Sequence, residues 1–162
     1  MTEFTRPATW EDVKRLAMLF NESGVEYALV GGYALWAHGM NRMTEDIDIL
    51  VNPTPENARR WIVALASLPD GAAKELLNEP DIFGSDARYA VRINDEFTVD
   101  VMPSIAGHSW QEMKSHIMEE QVDGVSVRLL NLEGLLKTKQ GLRPKDRADA
   151  TMIAAALQEL RK

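Results

Sequence analysis

Thr44-Glu45-Asp46-Ile47-Asp48-Ile49-Leu50-Val51 is the stretch on which the fold turns. Ionised carboxylates resist desolvation unless a cation or hydrogen bonds compensate them, so aspartates inside runs of Ile, Leu and Val need a reason. Alternation with a period of two makes this a strand. Asp46 and Asp48 project from one face while Ile47, Ile49 and Val51 enter the core. The two aspartate Cα atoms then lie roughly 6–7 Å apart on the strand rise. A second such placement follows in Phe97-Thr98-Val99-Asp100-Val101. A neighbouring strand runs about 4.8 Å away, so Asp100 can join Asp46 and Asp48 in a three-carboxylate cage for Mg²⁺. Taken singly, each aspartate is read as a surface residue on the wet face of a half-buried sheet. Taken together, behind a glycine turn, they are read as a site.

That turn is Leu29-Val30-Gly31-Gly32-Tyr33-Ala34-Leu35. Glycines at a strand-to-helix junction let the backbone bend sharply and let a phosphate approach the amides. The helix that follows offers unpaired N–H groups and the positive end of its dipole. A Gly-Gly pair alone is more often just a tight turn; here it stands fourteen positions before Asp46.

Outward from this centre the chain alternates helices and strands. Thr9 caps a helix carrying the apolar stripe Val13, Leu16, Ala17, Leu19 and Phe20, which ends near Ser23-Gly24. A strand over 25–30, a short helix over 33–38 and a strand over 46–51 come next. After the Asn52-Pro53-Thr54-Pro55 turn, an amphipathic helix is predicted over 56–68. The polar segment 69–85 is left without an assignment. Strands over 88–93 and 97–102 form a hairpin around 94–96. A helix is predicted over 109–118, then a short hairpin at 121–122 and 125–130 around Asp123-Gly124. Asn131 caps a helix to about 140, and Pro144 opens a last helix to 160. The fold class is α/β (α+β), a mixed central sheet flanked by helices, with C-terminal helices. One domain spans residues 1–162, with a core of about 9–130 and a helical part of about 131–162.

Composition bounds the partners. Among 162 residues, 45% are hydrophobic and 27% charged, ordinary values for a globular chain. A net charge of −7 argues against bulk duplex DNA binding through a basic surface, though not against an RNA end entering a locally basic cleft. No cysteine is present, which rules out disulfides and thiolate metal sites. No apolar run reaches membrane-spanning length, so a cytoplasmic protein without membrane contact is expected.

Val30-Gly31-Gly32, the thirteen-residue spacer, Asp46-Ile47-Asp48-Ile49 and the later Val99-Asp100-Val101 together resemble the nucleotidyltransferase superfamily. That is the fold shared by polymerase beta and the antibiotic nucleotidyltransferases. Gly32 stands where many members carry Ser, which removes a hydroxyl that would contact a phosphate. The stretch from Gly32 to Gly39 with Arg42 and Thr44, and the later Glu133-Gly134-Leu135-Leu136-Lys137-Thr138-Lys139 and Arg143-Pro144-Lys145-Asp146-Arg147-Ala148-Asp149, look more narrowly like minimal bacterial enzymes of the AbiEii toxin type. Length and the Lys-Asp pair are also similar to small lincosamide nucleotidyltransferases.

The resemblance implies transfer of an NMP from an NTP to an acceptor hydroxyl, with pyrophosphate released. Asp46, Asp48 and Asp100 are the candidate ligands of two Mg²⁺ ions, with Mn²⁺ as a substitute, and are catalytic with Lys139. Lys137 and Lys139, two apart on a helix, cannot both face inward. The candidate nucleotide contacts are Gly31, Gly32, Tyr33, Arg42, Thr44, Arg143, Lys145 and Asp146. Arg143 and Lys145 fit a solvated helix end equally well. His38, His108 and His116 are scattered and read as incidental; the four tryptophans read as core. The acceptor divides the field between an RNA end or a protein, with a cognate antitoxin as partner, and a small antibiotic-like molecule. The Arg-Pro-Lys-Asp segment leans the reading toward the toxin type. A non-catalytic nucleotide-binding module is the further alternative.

Overall fold

The computed structural model describes residues 5–79, 81–83, 89–140 and 143–161. Helix α1 (Trp10–Glu22) opens with the Thr9 N–H donating to the Asp12 carboxylate at 2.8 Å. It buries Val13, Leu16, Ala17 and Phe20, the stripe set by its 3.6-residue period. Gly24, at φ +69°, turns the chain into strand β1 (Tyr27–Val30), buried along its whole length. Helix α2 (Gly31–Ala37) starts on the glycines themselves, two residues earlier than predicted. Strand β2 (Ile47–Val51) and helix α3 (Pro55–Ala66) follow, the latter capped by Thr54 accepting from the Asn57 N–H. Within 69–85, Ala72–Leu76 forms a 3₁₀ turn.

Strands β3 (Val91–Asn94) and β4 (Thr98–Met102) form the predicted hairpin; the expected first residue of β3, Arg88, lies outside the described residues. The turn is pinned by Asp95, fully buried, whose carboxylate accepts from the Asp70, Ala72 and Glu96 N–H groups.

The helix predicted over 109–118 is a correction. A small hairpin, β5 (Ser104–Ile105) with β6 (His108–Ser109), turns through Ala106 and Gly107 at φ 50° and 81°. Helix α4 covers only Trp110–Met113, followed by a 3₁₀ turn, before strand β7 (Ile117–Val122) begins. Ile117 and Met118 pair with Leu130 and Leu129 of strand β8 (Val125–Leu130), and that cross-strand partnership outweighs local helix preference. Helices α5 (Leu132–Thr138) and α6 (Pro144–Leu160) finish the chain and pack on each other.

The six-stranded sheet runs in the order β3-β4-β2-β1-β8-β7. Pairs β1–β2, β3–β4 and β7–β8 are antiparallel, while β2–β4 and β1–β8 are parallel, so the sheet is mixed as predicted. Helix α1 covers the face that carries Tyr27, Leu29, Ile47, Ile49 and Val127. Fully burying a side chain such as Leu16 or Ile49 contributes about 1.5–3 kcal/mol, and this layer supplies much of the core. Among the described residues no helix is long and apolar enough to cross a membrane.

The segment before α1 ties two distant turns together. The Arg6 N–H donates to the Glu96 carbonyl at 3.1 Å, and the Ala8 N–H to the Glu45 carbonyl at 2.8 Å. Arg6 also grips Asp12 with two hydrogen bonds, at 2.6 and 2.8 Å, and shares Glu96 with Arg15. Both guanidinium groups lie over the Phe97 ring, at 5.7 and 5.4 Å from its centroid.

Candidate active site

The face of the sheet opposite α1 carries a row of charges fixed by register. Val30 pairs with Asp48, Asp48 with Asp100, and Asp100 with Arg92. Lateral neighbours on paired strands project from the same face, so Asp48, Asp100 and Arg92 stand side by side. Asp46, just before β2, joins them at the edge.

The row forms one wall of a polar cleft of about 450 Å³, lined also by Gly31, Gly32, Arg42, Thr44, Lys139 and Lys145. A larger groove, about 640 Å³, lies beside α1, but its cations are already paired with Asp12, Glu96 and Asp123. The smaller cleft is the chemically interesting one.

Gly31 shows why glycine is required at the end of β1. Its φ is +68°, a region strained for other residues, and an added Cβ would lie 2.2 Å from Asp48 Oδ2. The bend and the carboxylate occupy the same space. At Gly32 an added Cβ would meet Thr44, with Oγ1 at 2.8 Å. The Thr44 hydroxyl therefore lies close to the position a serine side chain would occupy at residue 32, and it donates to the Asp46 carbonyl at 3.2 Å.

The electrostatics of the aspartates are unbalanced. Loss of water, then the nearby Asp100 and Asp46 charges, push the Asp48 carboxyl up to about 7. The nearest cation is Arg92: its Nε lies 2.9 Å from Asp100 Oδ1 and its Nη2 3.1 Å from Oδ2. The same Nη2 reaches Asp46 Oδ2 at 3.3 Å. One guanidinium thus faces three carboxylates. The closed three-carboxylate cage expected from strand spacing is not formed: among the described residues no three acidic or histidine side chains converge as a ready-made metal site. The Arg92 guanidinium lies between Asp46 and Asp100 instead. The residues nevertheless fit a divalent cation, because hard oxygen donors carry uncompensated charge at the cleft floor.

The opposite wall is built by α5 and α6. Asp149, 1% exposed, accepts from Arg42 and lies 3.1 Å from Lys139 Nζ through its other oxygen. Asp146, one helical turn earlier and also buried, accepts from Arg143 at 2.9 Å and stands 3.9 Å from Lys139. Lys139 turns into the cleft, whereas Lys137 faces a separate groove with His108 and Arg143.

Three predicted nucleotide contacts lie elsewhere. Tyr33 is buried, packs edge-on against Trp10 at 5.3 Å and donates its hydroxyl to the Ala8 carbonyl, so its ring serves the core. At a helical position one turn before Ala37, that orientation follows the apolar stripe of α2. Arg143 borders the other groove, largely exposed. Asp146 anchors cations from behind the wall. Arg42 lines the cleft, but its guanidinium is engaged by Asp149.

Two residues were missed. Arg92 had a signal, since its alternation in β3 places it opposite Asp100. Asp149 had one too, three residues after Asp146 on the same helical face. Trp36 departs from the core reading: it is 39% exposed and its indole N–H donates to the Arg42 carbonyl.

Known structures share this architecture. A Thermotoga maritima protein provisionally assigned as a nucleotidyltransferase superposes with a TM-score of 0.59 at 12% identity, covering 93% of this chain and 92% of that one. The antibiotic-resistance factor ANT(2'')-Ia gives 0.57 at 13% identity, over 90% of this chain and 82% of its own. The lincosamide antibiotic adenylyltransferase LnuA, solved with lincomycin bound, gives 0.56 at 14% identity, over 93% and 99%. At these identities the likeness establishes the fold. No curated protein matches the sequence. Residues 12–153 match the profile of aminoglycoside-2''-adenylyltransferase, and with most of its length covered the chain is a nucleotidyltransferase belonging to that family.

Proposed function

We propose that this enzyme moves an adenylyl group from ATP to a hydroxyl of a small, cationic, antibiotic-like acceptor. The observation that carries the reading is the single cleft in which Gly31, Asp48 and Asp100 on one wall face Lys139 on the other. The family match and two antibiotic-modifying structural neighbours support a small-molecule acceptor, and they shift the reading away from the toxin type favoured by the Arg-Pro-Lys-Asp segment. Glu45 and Asp46, consecutive on the cleft lining, are the carboxylates a cationic acceptor would meet.

In this reading Asp46, Asp48 and Asp100 would hold magnesium. A divalent cation bound there supplies charge neutralisation at the α-phosphate and acidifies the acceptor hydroxyl. The Gly31–Gly32 bend leaves backbone N–H groups at the start of α2 free to receive phosphate oxygens, with the Thr44 hydroxyl alongside. Asp100 accepts the hydroxyl proton. The acceptor oxygen then bonds to the α-phosphorus, and the bond from that phosphorus to the bridging oxygen breaks. Lys139, aimed by Asp149, meets the negative charge that develops on the departing pyrophosphate. Since α5 and α6 supply that wall, the whole chain is proposed to act as one unit.

The test is direct. Purified enzyme with Mg²⁺ and each NTP is offered aminoglycosides, lincosamides, or total cell RNA, and pyrophosphate release is followed with the mass of each acceptor. A gain of one AMP on an antibiotic supports the reading. Pyrophosphate released only in the presence of RNA, with label on its end, would return the toxin type.

A further inference from the structure

The cation already present in the aspartate cluster is a side chain. We propose that Arg92 is a built-in competitor for the metal site: its guanidinium bridges Asp46 and Asp100 in the metal-free enzyme and is displaced when a divalent cation enters. The inference rests on the reading above, in which the three aspartates bind metal.

Four observations carry it. The cross-strand pairing of Arg92 with Asp100 puts both side chains on the cleft face, so the contact is built by register and not by a chance surface rotamer. The contact to Asp100 is two-pronged, at 2.9 and 3.1 Å, and occupies both oxygens of a carboxylate proposed to hold the metal. A third bond, at 3.3 Å, spans to Asp46 Oδ2, so the guanidinium lies between two members of the trio. Arg92 is also 59% exposed, so its side chain can swing outward without breaking the core.

Charge explains why such a residue is useful. Three neighbouring carboxylates repel one another, and an arginine, which keeps its proton at any working pH, offsets that repulsion. A fixed cation keeps the empty cluster together. A second positive group of higher charge then cannot share the same oxygens without driving the first away. Metal affinity is reduced by whatever the guanidinium contacts contribute, which for an exposed two-pronged pair is modest.

Mn²⁺ titration of the nucleotide-free enzyme, read by electron paramagnetic resonance, tests this without catalysis. Arg92→Gln is expected to bind Mn²⁺ about five- to tenfold more tightly than the wild type. Arg92→Lys, which keeps the charge but loses the fork, is expected to fall between them. Thermal melting gives an independent reading: Arg92→Gln should melt lower than wild type in EDTA and gain more from Mg²⁺. Equal or weaker Mn²⁺ binding in both variants would overturn the proposal and make Arg92 a prop for the ligands. Should Arg92→Gln not fold, the lysine variant alone decides on the same criterion. If neither wild type nor variant binds Mn²⁺, the metal reading itself falls, and this inference with it.

Discussion

Two clusters in this molecule are made of the same parts and behave oppositely. Beside α1, Arg6 and Arg15 meet Asp12 and Glu96, two cations for two anions, over the face of Phe97. Burial alone would raise the Asp12 carboxyl, yet the Arg6 and Thr9 hydrogen bonds outweigh it and hold the group below its ordinary range. In the cleft, three aspartates meet one arginine, and Asp48 moves up instead. Burial works in the same direction at both places. What differs is the count of compensating charge, and a shortfall of cations marks the place where an external one is invited.

The comparison can be broken most sharply at Asp48. Asp48→Asn is expected to lower kcat on the order of 10³-fold in the pyrophosphate assay while leaving the melting point in EDTA unchanged or higher. Gly31→Ala comes next. A Cβ 2.2 Å from Asp48 Oδ2 and a φ of +68° must displace the carboxylate, for a loss of about 10²-fold in kcat/KM with a lowered melting point.

At the balanced cluster the outcome inverts. Asp12→Asn is expected to cost on the order of 1–2 kcal/mol in urea unfolding, because it loses the charged fork to Arg6 and weakens the Thr9 cap while Arg6 keeps Glu96, and the folded enzyme keeps its kcat. If Asp12→Asn spared stability and abolished transfer, the division between the two clusters would be wrong.

Acidity separates them again. The folded protein holds a proton on Asp48 that the unfolded chain has lost, so in EDTA stability falls as pH rises from about 4 towards 7, by up to about 4 kcal/mol. Asp12 contributes with the other sign: its stabilisation is present above the ordinary carboxylate range and fades as pH drops below it. Saturating Mg²⁺ should flatten the first slope and leave the second, which denaturation across pH would show. The smallest expected effect is Arg143→Ala, with no resolvable change in melting point and less than about twofold in KM, since that side chain is largely exposed and outside the cleft.

The strand assignment and the charge row were legible because both are local. Period-two alternation in 47–51 and 98–102 fixes which side chains share a face, and parallel pairing then brings Asp48 beside Asp100. The failures are non-local. Nothing near Ile117 says that it will pair with Leu130, so a capped start at Ser109 reads as a longer helix than the one formed. Tyr33 shows the same limit at a single residue. Its neighbours suggest a site, but the partner that claims its hydroxyl, Ala8, lies 25 residues earlier. Arg42 looks free until Asp149, 107 residues away, is seen to hold it. Cleft membership could be read from the strands; which cations were already engaged could not.

The two backbone bonds made by Arg6 and Ala8 give the start of the chain leverage over the reaction centre. Ala8 holds the carbonyl of Glu45, whose next neighbour is Asp46, so a pull on the leading end travels through one hydrogen bond to the rim of the cleft. An affinity handle fused there would report on its own tension as much as on the enzyme, and is better attached beyond Leu160 at the exposed end of α6.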